Sequence, residues 1–194
     1  MIIFVKNKHT LQIDQFKFKC CIGKKGATFN KKEGDKKTPK GIFKIQNLYF
    51  RKDRIKKPLT SLKCIEIKKN MGWCDDIKFP KEYNKLIKVN TKSKHEKLTC
   101  KDNKYDLLIP IKYNKLFKIK KNVKHEKLKR KDSKYDLLIP IKYNFENPSI
   151  GKGSCIFIHL TKNYKSTAEC IALKKKDFLI MLKLIKKNSK VKIF

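Results

Sequence analysis

The pattern of apolar and polar positions along the chain predicts short β-strands. Apolar residues alternate with lysines or other polar residues over short stretches, as Phe16, Phe18 and Cys20 do, and a period of two is typical of a half-buried strand. We therefore predict strands at these places: Ile2–Val5, Phe16–Ile22, Gly41–Tyr49, Lys63–Ile67, Lys85–Val89, Tyr105–Lys112, Ser154–Leu160 and Val191–Phe194.

One segment shows the helical period instead. From about Lys175, the apolar residues Phe178, Leu182 and Ile185 share one face of a helix that the pattern ends at Asn188–Ser189. A length of 194 residues fits one domain. We predict a single domain over residues 1–194 that is mainly β with few helices.

The chain contains an internal duplication. Residues 83–112 recur at 113–142 with 21 of 30 positions identical. The changes Ile87 to Phe117 and Val89 to Ile119 keep apolar positions apolar. Two copies are too few for a solenoid, so we predict a tandem duplication of one supersecondary unit within the domain. The sequence leaves open which copy takes which place.

The charge is strongly positive, with 52 Lys and Arg against 17 Asp and Glu and a net charge of +35. Such a charge favours contact with polyanions. However, the only arginines are Arg51, Arg54 and Arg130, and the lysines are spread evenly, so a solvated lysine surface is favoured over specific nucleic-acid recognition. No apolar run predicts a membrane span, and no export signal is visible. No metal-binding or cofactor-binding motif is present, so we expect neither metal nor cofactor.

The seven cysteines are odd in number and form no CxxC pair, which argues against a disulfide framework or a zinc site. Most lie in apolar runs and are interpreted as small buried hydrophobes. Cys170 follows a polar loop, and His159 ends an apolar strand. Because a histidine can activate a thiol, this pair is a candidate catalytic site. A structural pair buried in the core is the alternative.

Six motifs occur in a fixed order along the chain: CCIGKKGATFNKKEGDKKTPKGIFKI, YFRKDR, GWCDD, the HEKL to YDLLI unit, GKGSCIFIHL and STAECIAL. Together they resemble the L,D-transpeptidase catalytic domain of the YkuD type. The resemblance implies a β-rich fold with Cys170 as nucleophile and His159 as general base. It implies acyl transfer from a peptidoglycan stem peptide to an amine, or to water in a carboxypeptidase. It also implies a location at the cell envelope. The oligomeric state is not readable.

The resemblance further implies backbone oxyanion donors around Thr167 and Glu169, a role for Thr167 in orienting His159, and a cleft lined by Gly153 and Ser154. The segments Lys24–Pro39 and Trp73–Asp76 are then framework or substrate loops.

The chain departs from the family at Glu169, where the family usually has glycine. A positive φ there would strain the backbone by about 1 to 2 kcal/mol. A carboxylate there would also raise the pKa of the thiol, unless it faces solvent among the lysines. The alternative function is a catalytically impaired, lysine-rich protein that binds an anionic cell-wall polymer or nucleic acid.

Overall fold

A computed structural model describes residues 1–89, the backbone of residues 117–119, and residues 123–194. These residues form sixteen strands and one helix. The elements in chain order are β1 (Ile2–Lys6), β2 (Thr10–Ile13), β3 (Phe16–Lys19), β4 (Ala27–Thr28), β5 (Thr38–Pro39), β6 (Gly41–Lys44), β7 (Leu48–Phe50), β8 (Cys64–Glu66), β9 (Met71–Cys74), β10 (Leu86–Val89), β11 (Phe117–Ile119), β12 (His125–Lys127), β13 (Leu137–Pro140), β14 (Phe157–Leu160), β15 (Ile171–Leu173), α1 (Lys175–Leu184) and β16 (Lys190–Ile193).

The first sheet joins the two ends of the described chain. Its strand order is β3-β2-β1-β16-β6, and β1 lies parallel to β16 with Ile3 opposite Val191. Alternation along these strands sends Ile3, Val5 and Val191 inward, where each is at most 2% exposed. The helix α1 packs into the same core through Phe178, which is fully buried. Burial of each such side chain stabilises the fold by about 1.5 to 3 kcal/mol.

The central sheet, with the order β15-β14-β13-β7-β8, separates two hydrophobic cores. One face contributes Ile158, Leu160 and Ile171 to the large core beneath the first sheet. The other face contributes Phe157 and Cys170 to a second, smaller cluster. Successive side chains of a strand point to opposite faces. The residues of the central sheet that do not face the main core therefore face this second cluster.

A third sheet, of order β11-β10-β9-β12, covers the second cluster. Trp73 of β9 is 1% exposed and packs edge-on against Phe157 with ring centroids 5.3 Å apart. In this sheet β10 and β11 pair in parallel, with Ile87 opposite Phe117, so equivalent positions of the two sequence copies lie side by side. The second copy also supplies β12 and β13. Residues 90–116 lie outside the described residues, and the duplication as a structural unit stays a prediction.

The prediction of a mainly β fold with few helices is confirmed. The helix begins at Lys175 as predicted but ends at Leu184, and Ile185 is already extended. The predicted strand Gly41–Tyr49 is divided between β6 and β7, which belong to different sheets. The predicted strand Tyr105–Lys112 lies outside the described residues.

Strand β9 was not predicted, because Asn70-Met-Gly72 has the composition of a turn and all four residues of β9 are buried without alternation. Within the described part of the chain, no helix is long and apolar enough to cross a membrane.

Candidate active site

The structure places Cys170 and His159 on the same face of the central sheet. Strands β14 and β15 are parallel, with His159 opposite Ala172, so Cys170 lies two residues before the partner of His159. Phe157 and His159 are two residues apart on β14 and so share one of its faces, and Cys170, which directly precedes β15, lies with Phe157 in the second cluster on that face. The predicted proximity of adjacent strand ends is therefore consistent with this register.

The imidazole of His159 is held in one tautomer. It is 7% exposed, and its Nδ1 lies 2.9 Å from the carbonyl oxygen of Leu160. Because a carbonyl oxygen only accepts, Nδ1 carries the hydrogen and Nε2 is left as an acceptor. Burial lowers the pKa of His159 to about 4, helped by the positive charges of Lys134 and Arg130. The ring is therefore neutral near pH 7, as a proton acceptor must be.

The thiol of Cys170 is buried between two backbone groups. Its Sγ donates to the carbonyl oxygen of Cys155 at 3.2 Å and accepts from the N–H of Phe157 at 3.4 Å. Burial raises the pKa of Cys170 to about 12, opposed by the hydrogen bond from Phe157. Among the described residues, no hydrogen bond joins Cys170 to His159. The resting pair is thus a neutral thiol and a neutral imidazole.

Aromatic rings wall this face of the sheet. Tyr135 meets His159 edge-on, with ring centroids 5.3 Å apart, and meets Phe157 in the same way at 5.8 Å. The guanidinium of Arg130 lies 5.1 Å from the ring centroid of Tyr135. These contacts fix the plane of the imidazole and exclude water from it, which accounts for the depressed pKa of His159.

A buried lysine joins the site from the loop 29–37. The side chain of Lys31 is fully buried, and its Nζ lies 2.8 Å from Oε2 of Glu169 and 2.9 Å from Oδ1 of Asp35. It also donates to the carbonyl oxygen of Lys32. Sequence analysis did not find Lys31, because one lysine among so many carries no signal. The alternative in which Glu169 faces solvent is wrong, since its side chain is 11% exposed and ion-paired.

Two of the predicted cleft residues contact the same loop. Ser154 is 3% exposed and its Oγ donates to Oε2 of Glu33 at 2.9 Å, and the hydroxyl of Tyr83 donates to the same oxygen. Gly153 adopts a φ of +98°, and an added Cβ there would lie 3.0 Å from Cγ of Lys31. Lys31 and Glu33 of this loop therefore contact both residues predicted to line the cleft, so this part of Lys24–Pro39 supports the predicted cleft.

Thr167 holds the backbone of Cys170 rather than the histidine. Its Oγ1 donates to the carbonyl oxygen of Cys170 at 2.6 Å, while the carbonyl of Leu160 orients His159. The prediction that Thr167 orients His159 is therefore wrong, because the hydroxyl of Thr167 binds the backbone of Cys170 instead. The strain considered for Glu169 also does not arise, because the residue is not among those with positive φ. The oxyanion role of this backbone stays a prediction.

In the segment Trp73–Asp76, the contacts of Trp73 are those of a framework residue. Asn84 accepts from the indole N–H of Trp73 at 3.0 Å and from the N–H of Cys155 at 3.1 Å. Its amide donates to the carbonyl oxygens of Tyr143 and Asn144. All four hydrogen-bonding positions of this buried side chain are therefore used, and they tie β9 to the residue that accepts from the thiol of Cys170.

The fold and the site define a β-rich domain with a thiol and a neutral imidazole on one face of its central sheet. No curated protein and no solved structure matches the chain. The family model of YkuD, the L,D-transpeptidase catalytic domain, matches residues 1–193. The chain belongs to this family.

Proposed function

We propose that the protein is a peptidoglycan L,D-transpeptidase that transfers an acyl group through a thioester on Cys170. The observation that carries this proposal is the hydrogen bond from Nδ1 of His159 to the carbonyl of Leu160, which leaves Nε2 as the acceptor. A histidine held in this tautomer, on the same face of the central sheet as the thiol, can act as the base in nucleophilic catalysis. Family membership supplies the substrate class, a peptidoglycan stem peptide.

The first half of the reaction forms the thioester. Nε2 of His159 takes the proton from Cys170 as the sulfur bonds to the carbonyl carbon of the stem peptide. The C–N bond to the terminal D-amino acid then breaks, and the imidazolium returns its proton to the departing amine. Since both groups are neutral at rest, the proton moves during the attack and no standing ion pair is required.

The second half releases the acyl group. An acceptor amine attacks the thioester, the new C–N bond forms, the C–S bond breaks, and the amine's proton returns to the sulfur through His159. With water as acceptor, the same site acts as a carboxypeptidase. Because peptidoglycan is the substrate, we propose that the protein acts at the cell envelope, in cell-wall cross-linking or remodelling. We propose no specific nucleic-acid partner.

Acylation by a carbapenem tests the proposal. Intact-protein mass spectrometry should show one adduct on the wild type and none on Cys170→Ala. Cys155→Ala is the matched control, because Cys155 is the neighbouring free cysteine, and it should still be acylated. His159→Gln should be acylated far more slowly. A folded wild type that takes no adduct, and releases no terminal D-amino acid from a stem peptide, would overturn the proposal.

A second candidate is a catalytically impaired protein that binds an anionic cell-wall polymer or nucleic acid. The supporting observation is a cavity of about 860 Å³ lined by Lys44, Lys63, Lys142, Lys187 and Lys190, with no acidic residue among the described residues that line it. Polyanion binding that persists in Cys170→Ala and weakens steeply with salt, together with failure of acylation, would favour it.

A further inference from the structure

The residue before the candidate nucleophile is a buried carboxylate, which opposes the chemistry proposed for this site. Negative charge beside a thiol disfavours the thiolate that attacks the substrate. Glu169 is one residue from Cys170, and Glu126 of β12 acts on the thiol in the same sense. A site that keeps Glu169 therefore needs a compensating cation.

Lys31 is the cation that the structure supplies. Its ammonium contacts Oε2 of Glu169 at 2.8 Å, and its side chain is fully buried. The loop holds Glu169 at two further points, because the N–H of Lys36 donates to Oε1 at 3.3 Å and the hydroxyl of Thr38 donates to the backbone oxygen at 2.7 Å. Glu169 is thus fixed against residues 31–38 through both its carboxylate and its backbone oxygen.

The packing around Lys31 is built for this side chain. Cγ, Cε and Nζ of Lys31 would lie 3.0 to 3.3 Å from a Cβ at residue 153, so any side chain there would force Lys31 to shift by a few tenths of an ångström. Asp35 contacts the same ammonium at 2.9 Å from the other side. An isolated buried charge is costly, and here the ammonium is matched by two carboxylates.

We propose that Lys31 is a positioning residue that fixes Glu169 and offsets its charge, so that a carboxylate can stand next to a reactive Cys170. Lys31 and Glu169 then act as one unit that replaces a neutral residue before the nucleophile. The inference rests on the proposed function, because it concerns the thiol assigned there as the nucleophile.

The rate at which iodoacetamide alkylates Cys170, measured from neutral to alkaline pH, tests this inference without a substrate. Cys170 is the sole cysteine of the tryptic peptide 166–174, so mass spectrometry reads it alone. Glu169→Gln should speed alkylation about tenfold at neutral pH, and Lys31→Met should slow it by a similar factor, about one pKa unit each. The double variant should return close to the wild-type profile.

Asp35→Asn is the matched control, because Asp35 contacts the same ammonium but does not adjoin the thiol. It should change the rate clearly less than Glu169→Gln does. If Lys31→Met fails to fold, the comparison of Glu169→Gln with Asp35→Asn decides. Equal effects of these two would overturn the inference, as would shifts of the same sign in Lys31→Met and Glu169→Gln.

The two proposals fail separately. If Glu169→Gln speeds and Lys31→Met slows the alkylation of Cys170 while the wild type resists the carbapenem, Lys31 still tunes the thiol and the transpeptidase proposal falls. If the carbapenem acylates Cys170 and the variants all alkylate alike, the transpeptidase proposal stands and the role of Lys31 falls.

Discussion

Two glycines two residues apart allow the packing against Lys31 to be measured. Gly151 and Gly153 both have positive φ, +80° and +98°, so alanine strains the backbone at either position by about 1 to 2 kcal/mol. An added Cβ at residue 151 meets nothing within 4 Å. At residue 153 it meets the side chain of Lys31 at 3.0 to 3.3 Å, and the neighbour has to move.

Lys31 cannot move without loss, because its ammonium is held by Glu169 and Asp35. Overpacking of this kind costs about 1 to 3 kcal/mol beyond the backbone strain. We expect Gly153→Ala to be less stable than Gly151→Ala by about 2 kcal/mol in urea unfolding. In a domain of this size, that difference corresponds to a melting temperature lower by about 4 to 8 °C.

The same pair of variants should differ at the thiol. Displacing Lys31 loosens Glu169, so Gly153→Ala should slow the alkylation of Cys170, whereas Gly151→Ala should leave it unchanged. Equal stabilities and equal alkylation rates of the two variants would refute the reasoning, because they would mean that Lys31 yields freely to the new methyl group.

Three further predictions concern the rest of the domain. The pKa of His159 is lowered from 6.5 to about 4 in the folded protein. As pH falls below 6.5, the unfolded state therefore binds a proton on this residue before the folded state does, and the free energy of unfolding should fall by about 3 kcal/mol by pH 4. Urea unfolding of His159→Gln should show a shallower acid slope, and an unchanged slope would contradict this. Asn84→Asp removes both amide donors of a fully bonded side chain, and should destabilise the fold by about 2 to 4 kcal/mol in denaturant titration, with normal stability as the contrary result. Deleting residues 90–119 removes one copy's length of the duplication and, of the described strands, only the edge strand β11. The variant should fold and keep the alkylation rate of Cys170. A product that circular dichroism shows to be unfolded would count against the duplication.

Much of the fold could be predicted because strands with one solvated face alternate. Phe16–Lys19 shows this alternation, and so does Lys190–Ile193 at the end of the described chain. Met71–Cys74 does not, because all four of its residues are buried: Met71 and Trp73 lie in the second cluster, whereas Cys74 lies in a separate cluster with Ile87 and Val123. A strand buried on both faces has no polar positions to mark it, and its glycine then has the composition of a turn.

The candidate site could be proposed from the sequence where residue types and the family resemblance coincide. A cysteine after a polar loop and a histidine ending an apolar strand leave a structural pair open, and the ordered motifs of the L,D-transpeptidase family favour Cys170 and His159 as a catalytic pair. The groups that complete the site are backbone atoms, such as the carbonyl of Leu160 and the N–H of Phe157. Every residue has these atoms, so no side-chain pattern marks them.

The net charge of +35 says little about the thiol that the fold encloses. Exposed lysines act through water and salt, which screen them within about 10 Å, whereas Lys31 and Glu169 lie in contact with each other out of water. Around Lys31 the balance of charge is the reverse of that on the surface, because one ammonium faces two carboxylates. Burial raises the pKa of Glu169, and the nearby charge of Glu33 raises it further. The composition that suggests a polyanion-binding surface and the charges that govern Cys170 are therefore separate properties. Of the lysines that give the chain its charge, Lys31 is the one whose buried position lets it act on the surroundings of Cys170.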